Sequence, residues 1–520
     1  MVVSRKGCTF ALRFYVIVFL TKDREMAHPD WAVKYRRPGT ELRCIHGRYC
    51  LYECSSVYDK KKKRSVKKTG RYLGTITDDG GFRESPKRVL ERELEQARQG
   101  APAIGGAAPV KVGATRELGL SRFISGNLGA YVERLRRCFP DDWRRLVALA
   151  YCRLAFQSPL KRMAADFGDS YLSVADAVKG LSPNSLSGFY RDFGRDRAAI
   201  LDFLRGFGVE GDSVLFDGTD ILSSSGRMEF PRMSKVKSGG FGTAVNIMFG
   251  YTLGQGAANY YRLLPGNIKD IKAFELCARE YGYKNVTAIV DKGFQSEANI
   301  KTLDRMGGIR FIMAIKRNTK GLDYTPFAVR DNTGALGHFW YAGRPIWHHR
   351  QNILEHNVFV YLDERLRVEE QTDYLNKADD PDNDHHSIAS YHEHALQFGT
   401  IALMETTGLD AEQTYYRYKS RAEVEQSIDV FKNSLEADTS YMQDEHALET
   451  WMFINMIAMH WYCEIRERMV QARIIAKHSP ADMIRLMCRF RTVYVDGQWR
   501  TAELTKKEAA LLAAIGVDIT

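Results

Sequence analysis

The chain has 520 residues, 44% hydrophobic and 27% charged, which excludes a disordered or collagen-like polypeptide and allows a sizeable core in roughly three domains. Lys and Arg number 75 against 64 Asp and Glu, and the resulting charge of +11 favours a polyanionic partner, nucleic acid first. The nine cysteines are mostly scattered, unlike the dense framework of a secreted disulfide scaffold, and fit a reducing cytosol.

Residues 1–25 imitate a signal peptide, with Arg5 and Lys6 ahead of an apolar stretch from Cys8 to Leu20. Arg13 interrupts that stretch, TKDRE stands where small cleavage-site residues belong, and the run is too short to span a bilayer. These residues are expected to be a dispensable extension outside the fold.

Residues 26–98 form a basic, β-rich region expected to bind DNA. Within it, 42–77 alternates like strands around the turn Lys60, Lys61, Lys62, Lys63 and Arg64, with Lys67, Lys68 and Arg71 close behind. So many cations on an ordered hairpin suit a phosphate backbone. Cys44, His46, Cys50 and Cys54 have two readings: zinc ligands without a Cys-x2-Cys knuckle, or cysteines packing on one face of a strand. A helical pattern over SPKRVLERELEQARQG runs into a Gly, Ala and Pro-rich linker, 99–112.

From 113 to 207 the spacing is helical, with Asp141 and Ser182-Pro183 as helix starts, and a second DNA-binding region is expected there. Short apolar runs bounded by turns follow: SVLFD (213–217), AVNIMFGYTLG (244–254), ANYYRLLPGN (258–267), VTAIVD (286–291) and RFIMAIK (310–316). With helices near 269–281 and 295–305 they define an α/β core over 208–319. A β-containing insertion is expected over 320–395 and the second part of the core over 396–470, with a long charged helix from about Asp410 to Leu435. The run WMFINMIAM (451–459) reads as a buried core helix, and 471–520 as a C-terminal region.

Three carboxylates stand out. Asp217 and Asp291 each close an apolar run and precede or nearly precede a glycine, so both are expected at strand ends, where α/β sites assemble. In YKSRAEVEQSIDVFK, Tyr418, Arg421, Glu425 and Lys432 are separated by three, four and seven residues, which places them on one face of a helix. Two Asp and one Glu can hold divalent ions through oxygen while leaving positions for water and phosphate. Asp212 and Asp220 lie close enough to Asp217 to compete for the first ligand position. Trp340 and Trp347 are read as insertion core or as base-stacking residues, and His385, His386, His392 and His394 as a solvated loop or a metal cluster.

The helix segment resembles the Y-x2-R-x3-E-x6-K signature of DDE transposases of the insertion sequence 4 superfamily, closest to the insertion sequence 1634 branch. DGTD at 217–220, LLPGNIKD at 263–270 and IVDKGF at 289–294 resemble the family's first-aspartate, sheet-to-helix and second-aspartate segments. The likeness runs from about Tyr35 to Val517, including YCLYECSS and GRYLG near the start and HSPADMIRLM near the end.

The resemblance implies a ribonuclease-H-like core with a β insertion, and Asp217, Asp291 and Glu425 as catalytic ligands of Mg2+, with Mn2+ substituting. It implies DNA contacts from Tyr418, Arg421 and Lys432, double-stranded DNA (element ends and target) as partner, a homodimer in the DNA complex, no membrane, and a cytoplasmic, nucleoid-associated location. The expected activity is cleavage at the ends of an insertion sequence and transfer of the 3′ ends to target DNA. The rivals are a metal-dependent nuclease on the same core and an inactive DNA-binding relative.

Overall fold

The computed structural model describes the chain except residues 1–27, 60–62, 80, 90–91, 93–111, 209–210, 236–240, 255, 267–269, 330–335, 381–384 and 520. The chain divides into two compact units, Met1–Pro109 and Val110–Thr520.

The first unit holds a four-stranded antiparallel sheet in sequential order: β1 (Thr40–Ile45), β2 (Arg48–Asp59), β3 (Arg64–Thr77) and β4 (Gly81–Glu84). Its core is small, comprising Ala32, Leu42, Leu51, Leu73 and Ile76 with Trp31, Tyr35, Tyr49 and Phe82 packed against it. The β2–β3 hairpin runs on past this core through the pairs Ser55–Lys68, Val57–Val66 and Asp59–Arg64. Tyr58 there is 61% exposed. Cys44 lies in β1, and Cys50 and Cys54 in β2; all three are free thiols. The expected extension 1–25 and most of the expected linker lie outside the described residues, as does most of the helix expected over 85–100.

The second unit opens with β5 (Val112–Glu117) and a set of helices that includes Gly129–Cys138, Trp143–Phe156 and Pro183–Phe193. Ser182 caps the last of these by accepting from Ser185 N, as the Ser-Pro start predicts. The Trp143 helix begins one residue after Asp142, without a side-chain cap.

An eleven-stranded mixed sheet follows. It comprises β6 (Ser213–Ser223), β7 (Arg232–Lys235), β8 (Phe241–Thr252), β9 (Ala257–Pro265), β10 (Val286–Val290), β11 (Ile309–Ile315), β12 (Gly337–Tyr341), β13 (Arg344–Ile353), β14 (His356–Asp363), β15 (Thr400–Glu405) and β16 (Thr439–Ser440). At its centre the order is β9–β8–β6–β10–β11, with β8 antiparallel to β6 and the three strands β6, β10 and β11 parallel. That arrangement is compatible with a ribonuclease-H-like core. All five residues of β10 are buried, the signature of a parallel strand covered on both faces.

Alternation along β6 divides the core. Leu215 and Ile221 join Val245, Ile247 and Phe249 in one apolar cluster with the helix Glu445–Gln471, whereas Val214 and Phe216 pack with Met248 and Phe274 on the other face. The Glu445 helix carries the WMFINMIAM run, and every residue of that run is buried. Among the described residues, no helix is long and apolar enough to cross a membrane. β17 (Arg491–Val495) pairs with β18 (Gln498–Thr501) and with β5, joining the start and end of this unit.

Two expectations are corrected. Asp217 is not at the end of β6, because antiparallel pairing with β8 carries the strand on to Ser223. Within the segment expected to be an insertion, β14 pairs with β15, which pairs with β11, so β12, β13 and β14 extend the core sheet. The long helix from Asp410 to Leu435 is three segments, Ala411–Lys419, Ala422–Asp429 and a π turn, Val430–Ser434. Ser420 Oγ donates to Tyr416 O at 3.1 Å, a back-bond that bends helices, and the next backbone bonds tighten to Arg421 N–Tyr418 O and Glu423 N–Ser420 O.

Candidate active site

Parallel register builds the first half of the site. Leu215 of β6 is paired with Ile289 of β10, and Asp217 and Asp291 each lie two residues farther on. Both aspartates therefore leave neighbouring strands at the same height and on the same face. Asp291 then caps a short 3-10 turn, Lys292–Phe294, by accepting from Lys292 N at 2.7 Å. Asp217 Oδ1 accepts from Gly218 N at 3.1 Å.

The competing aspartates are placed elsewhere. Asp220 is an odd number of residues from Asp217 in the same strand, so its side chain leaves the opposite face. Asp212 ties a turn together, accepting from Ser213 N and Gly254 N, both at 2.7 Å.

Glu425 enters from the Ala422–Asp429 helix, and Arg421 at its N-terminal end joins all three acids. Its Nη1 lies 2.7 Å from Asp291 Oδ1, and Nη2 lies 3.2 Å from Asp217 Oδ1 and 3.9 Å from Glu425 Oε1. The Arg421 side chain is only 12% exposed, against 18% for Asp217, 37% for Asp291 and 60% for Glu425. Burial alone would lower the Arg421 pKa, but Asp217 and Asp291 outweigh it and the net shift is upward. Arg421 Nε is buried with no hydrogen-bond partner among the described residues. Burial pushes the Tyr418 phenol pKa up, with the neighbouring Arg421 guanidinium opposing.

Sequence spacing placed Arg421 on one helical face with Tyr418, Glu425 and Lys432. In the structure its guanidinium meets the two strand-borne aspartates as well as Glu425. Lys432 sits in the π turn and is half-buried. Of the hairpin cations, Lys63 and Arg64 are exposed, while Lys60, Lys61 and Lys62 lie outside the described residues. Trp347 is partly buried against the core and meets His338 at 5.2 Å, whereas Trp340 on edge strand β12 is exposed. His386 stands edge-on to Tyr374, and His394 bonds Ser390 O.

Among the described residues, no three His, Cys, Asp or Glu side chains stand close enough together to hold a metal ion. Asp217, Asp291 and Glu425 are held together through the guanidinium. Even so, their chemistry fits a divalent cation: all the donors are hard carboxylate oxygens, and a positive charge already stands where they converge.

Sequence reasoning did not single out Lys292, Lys316 and Lys419, which line a cavity beside Asp291. A signal was present, because Lys292 directly follows Asp291 and Lys316 directly follows the RFIMAI run.

Residues 210–461 match the family model described as Transposase DDE domain. That span contains Asp217, Asp291, Arg421 and Glu425. No curated protein matches the chain. Among solved structures, the chain is similar to one described as a cryo-EM structure of a piggyBac transposase synaptic complex with hairpin DNA, at 10% identity, covering 76% of this chain and 74% of that one, with a TM-score of 0.31.

Proposed function

We propose that this chain is a DDE DNA transposase that cuts DNA at the ends of its own element and joins the freed 3′ ends to target DNA. The observation that carries this reading is the convergence of Asp217, Asp291 and Glu425 on one buried guanidinium, within the span that matches the transposase domain. The spacing of Tyr418, Arg421, Glu425 and Lys432 supports the insertion sequence 4 superfamily and its 1634 branch.

In this reading Asp217, Asp291 and Glu425 hold Mg2+, or Mn2+ in its place. The metal supplies activation of the attacking oxygen and charge stabilisation of the leaving oxygen when bound. The protein contributes position. The β6–β10 ladder fixes the two aspartates, and the Ala422–Asp429 helix brings Glu425 over them. Arg421 would contact the phosphate next to these carboxylates, with Tyr418 beside it. Lys432 grips the strand farther along, and the hairpin cations from Lys60 to Arg64 hold duplex phosphates outside the core. Synapsis of two element ends makes the DNA-bound form a homodimer, acting in the cytoplasm on the nucleoid.

Purified protein with Mg2+ and a plasmid carrying the DNA that flanks the reading frame tests the reading. Cutting at inverted repeats and joining to a second DNA are expected. Cutting without joining would favour a metal-dependent nuclease on the same core, and binding without either would favour an inactive relative.

A further inference from the structure

The cavity beside Asp291 has a volume of about 750 Å3 and is lined by Lys292, Lys316, Lys419 and two tyrosines together with the carboxylates of Asp291, Asp363 and Glu370. Lys292 follows Asp291 at the C-terminal end of β10, and Lys316 follows Ile315 at the C-terminal end of β11. These strands are parallel neighbours, Val290 being paired with Met313, so both lysines leave the same edge of the sheet. Ligands of open α/β sheets bind at that edge. Lys419 closes the cavity from the last turn of the Ala411–Lys419 helix, half-buried, its ammonium 5.2 Å from the Tyr415 ring.

Among the described residues, none of the three ammonium groups is within ion-pair distance of a carboxylate. The contrast with Arg317 in the same wall decides which cations are available, because Arg317 is held by both oxygens of Glu370 at 2.9 Å. The carboxylates of the wall are already engaged, Asp291 by Arg421, Asp363 by Arg344 and Glu370 by Arg317, so the three lysines leave it an anion-binding surface. The cavity is in the range of small-ligand pockets, roughly 300–1,000 Å3, a size that suits a short stretch of one strand.

We propose that this cavity seats an unpaired DNA strand next to the bond that is cut, with Lys292, Lys316 and Lys419 holding its phosphates. The inference rests on the transposase reading and deepens it: these lysines are positioning residues that hold the strand at the carboxylates.

The test compares a blunt duplex with a forked duplex of the same paired length and one single-stranded tail, by fluorescence anisotropy in EDTA across a salt series. Wild-type protein should bind the fork more tightly. In the combined Lys292→Gln, Lys316→Gln, Lys419→Gln protein that preference should vanish, and the log–log salt slope on the fork should fall by about two units, at roughly 0.7 per single-strand phosphate. Blunt-duplex binding should stay within about twofold, and the triple Lys→Arg protein should recover the preference. Equal wild-type binding to fork and blunt DNA, or a Gln variant that keeps the preference and slope, overturns the inference. Cutting in Mg2+ is scored alongside. Cutting without lysine-dependent fork binding sinks this inference alone; fork binding without cutting sinks the catalytic reading alone; no DNA binding sinks both.

Discussion

Arg421 Nη1 lies 2.7 Å from Asp291 Oδ1, closer than its approach of 3.9 Å to Glu425 on the same helix. A guanidinium held there competes with any divalent cation for the same oxygens. Arg421→Ala should therefore bind Mn2+ more tightly than wild type in the absence of DNA, by roughly tenfold, the equivalent of one charged hydrogen bond worth about 1.5 kcal/mol. Strand cutting should fall in the same protein. Calorimetric titration with Mn2+ checks the first half, and equal affinities would show that the guanidinium does not occupy the metal position.

The carboxylates should separate activity from stability. Asp217→Asn, Asp291→Asn and Glu425→Gln should each lower strand cutting by at least about a hundredfold if, as proposed, each carboxylate is a charged metal ligand. Their effects on folding should differ. Asp217 and Asp291 balance a buried guanidinium, so neutralising either should cost about 1–2 kcal/mol, whereas the exposed Glu425 should cost close to nothing. Denaturant titrations of the three proteins would reveal the ordering, and an equally large loss for Glu425→Gln would contradict it.

The hairpin of the first unit should act through charge alone. Arg64→Ala and Lys68→Ala should each reduce the salt slope of duplex binding by about one unit. Lys67→Ala should have less effect, because Lys67 Nζ is engaged at 3.3 Å with Glu41. Slopes unchanged in all three would leave the hairpin without a DNA role.

His460 sets an acid limit on the second unit. It is buried, with Nε2 donating to Ala258 O at 2.6 Å and Nδ1 2.8 Å from the Tyr131 hydroxyl. Burial holds its pKa down at about 4, with the bond to Ala258 opposing. The unfolded chain takes up this proton near the ordinary value of about 6.5, so it binds more protons than the folded chain between the two values. The resulting stability, about 3 kcal/mol, is fully present above pH 6.5 and is lost as pH falls toward 4. Unfolding free energies measured across that window should fall more steeply for wild type than for His460→Gln; parallel curves would rule out this origin.

Much of the second unit was legible because its central strands are short, continuous apolar runs. SVLFD, VTAIVD and RFIMAIK each fall in β6, β10 or β11, and Ser182-Pro183 marks a true helix start. What could not be read depends on pairing and local competition. Nothing in DGTDILS says that β8 keeps pairing beyond Asp217, since strand length is set by the partner. Helical spacing from Tyr418 to Lys432 assumes an unbroken helix, and the structure interrupts it between Lys419 and Ala422, where Ser420 bonds Tyr416 O. The contacts of Arg421 with Asp217 and Asp291 were not legible, since i to i+4 spacing pointed only toward Glu425. The insertion was visible as β-rich, but its fusion to the core sheet through β15 depends on contacts between residues far apart in sequence.

That fusion sets what the chain can tolerate when it is lengthened. β14, β15, β11, β10 and β6 are bonded in series, so a single added residue inside β14 or β15 would reverse the inward and outward sides of everything beyond it in that strand. The neighbouring ladders are regular through these strands, and the effect of the slip would reach toward β10, the strand that leads into Asp291. Residues can be added between these strands at little cost, but hardly at all within them.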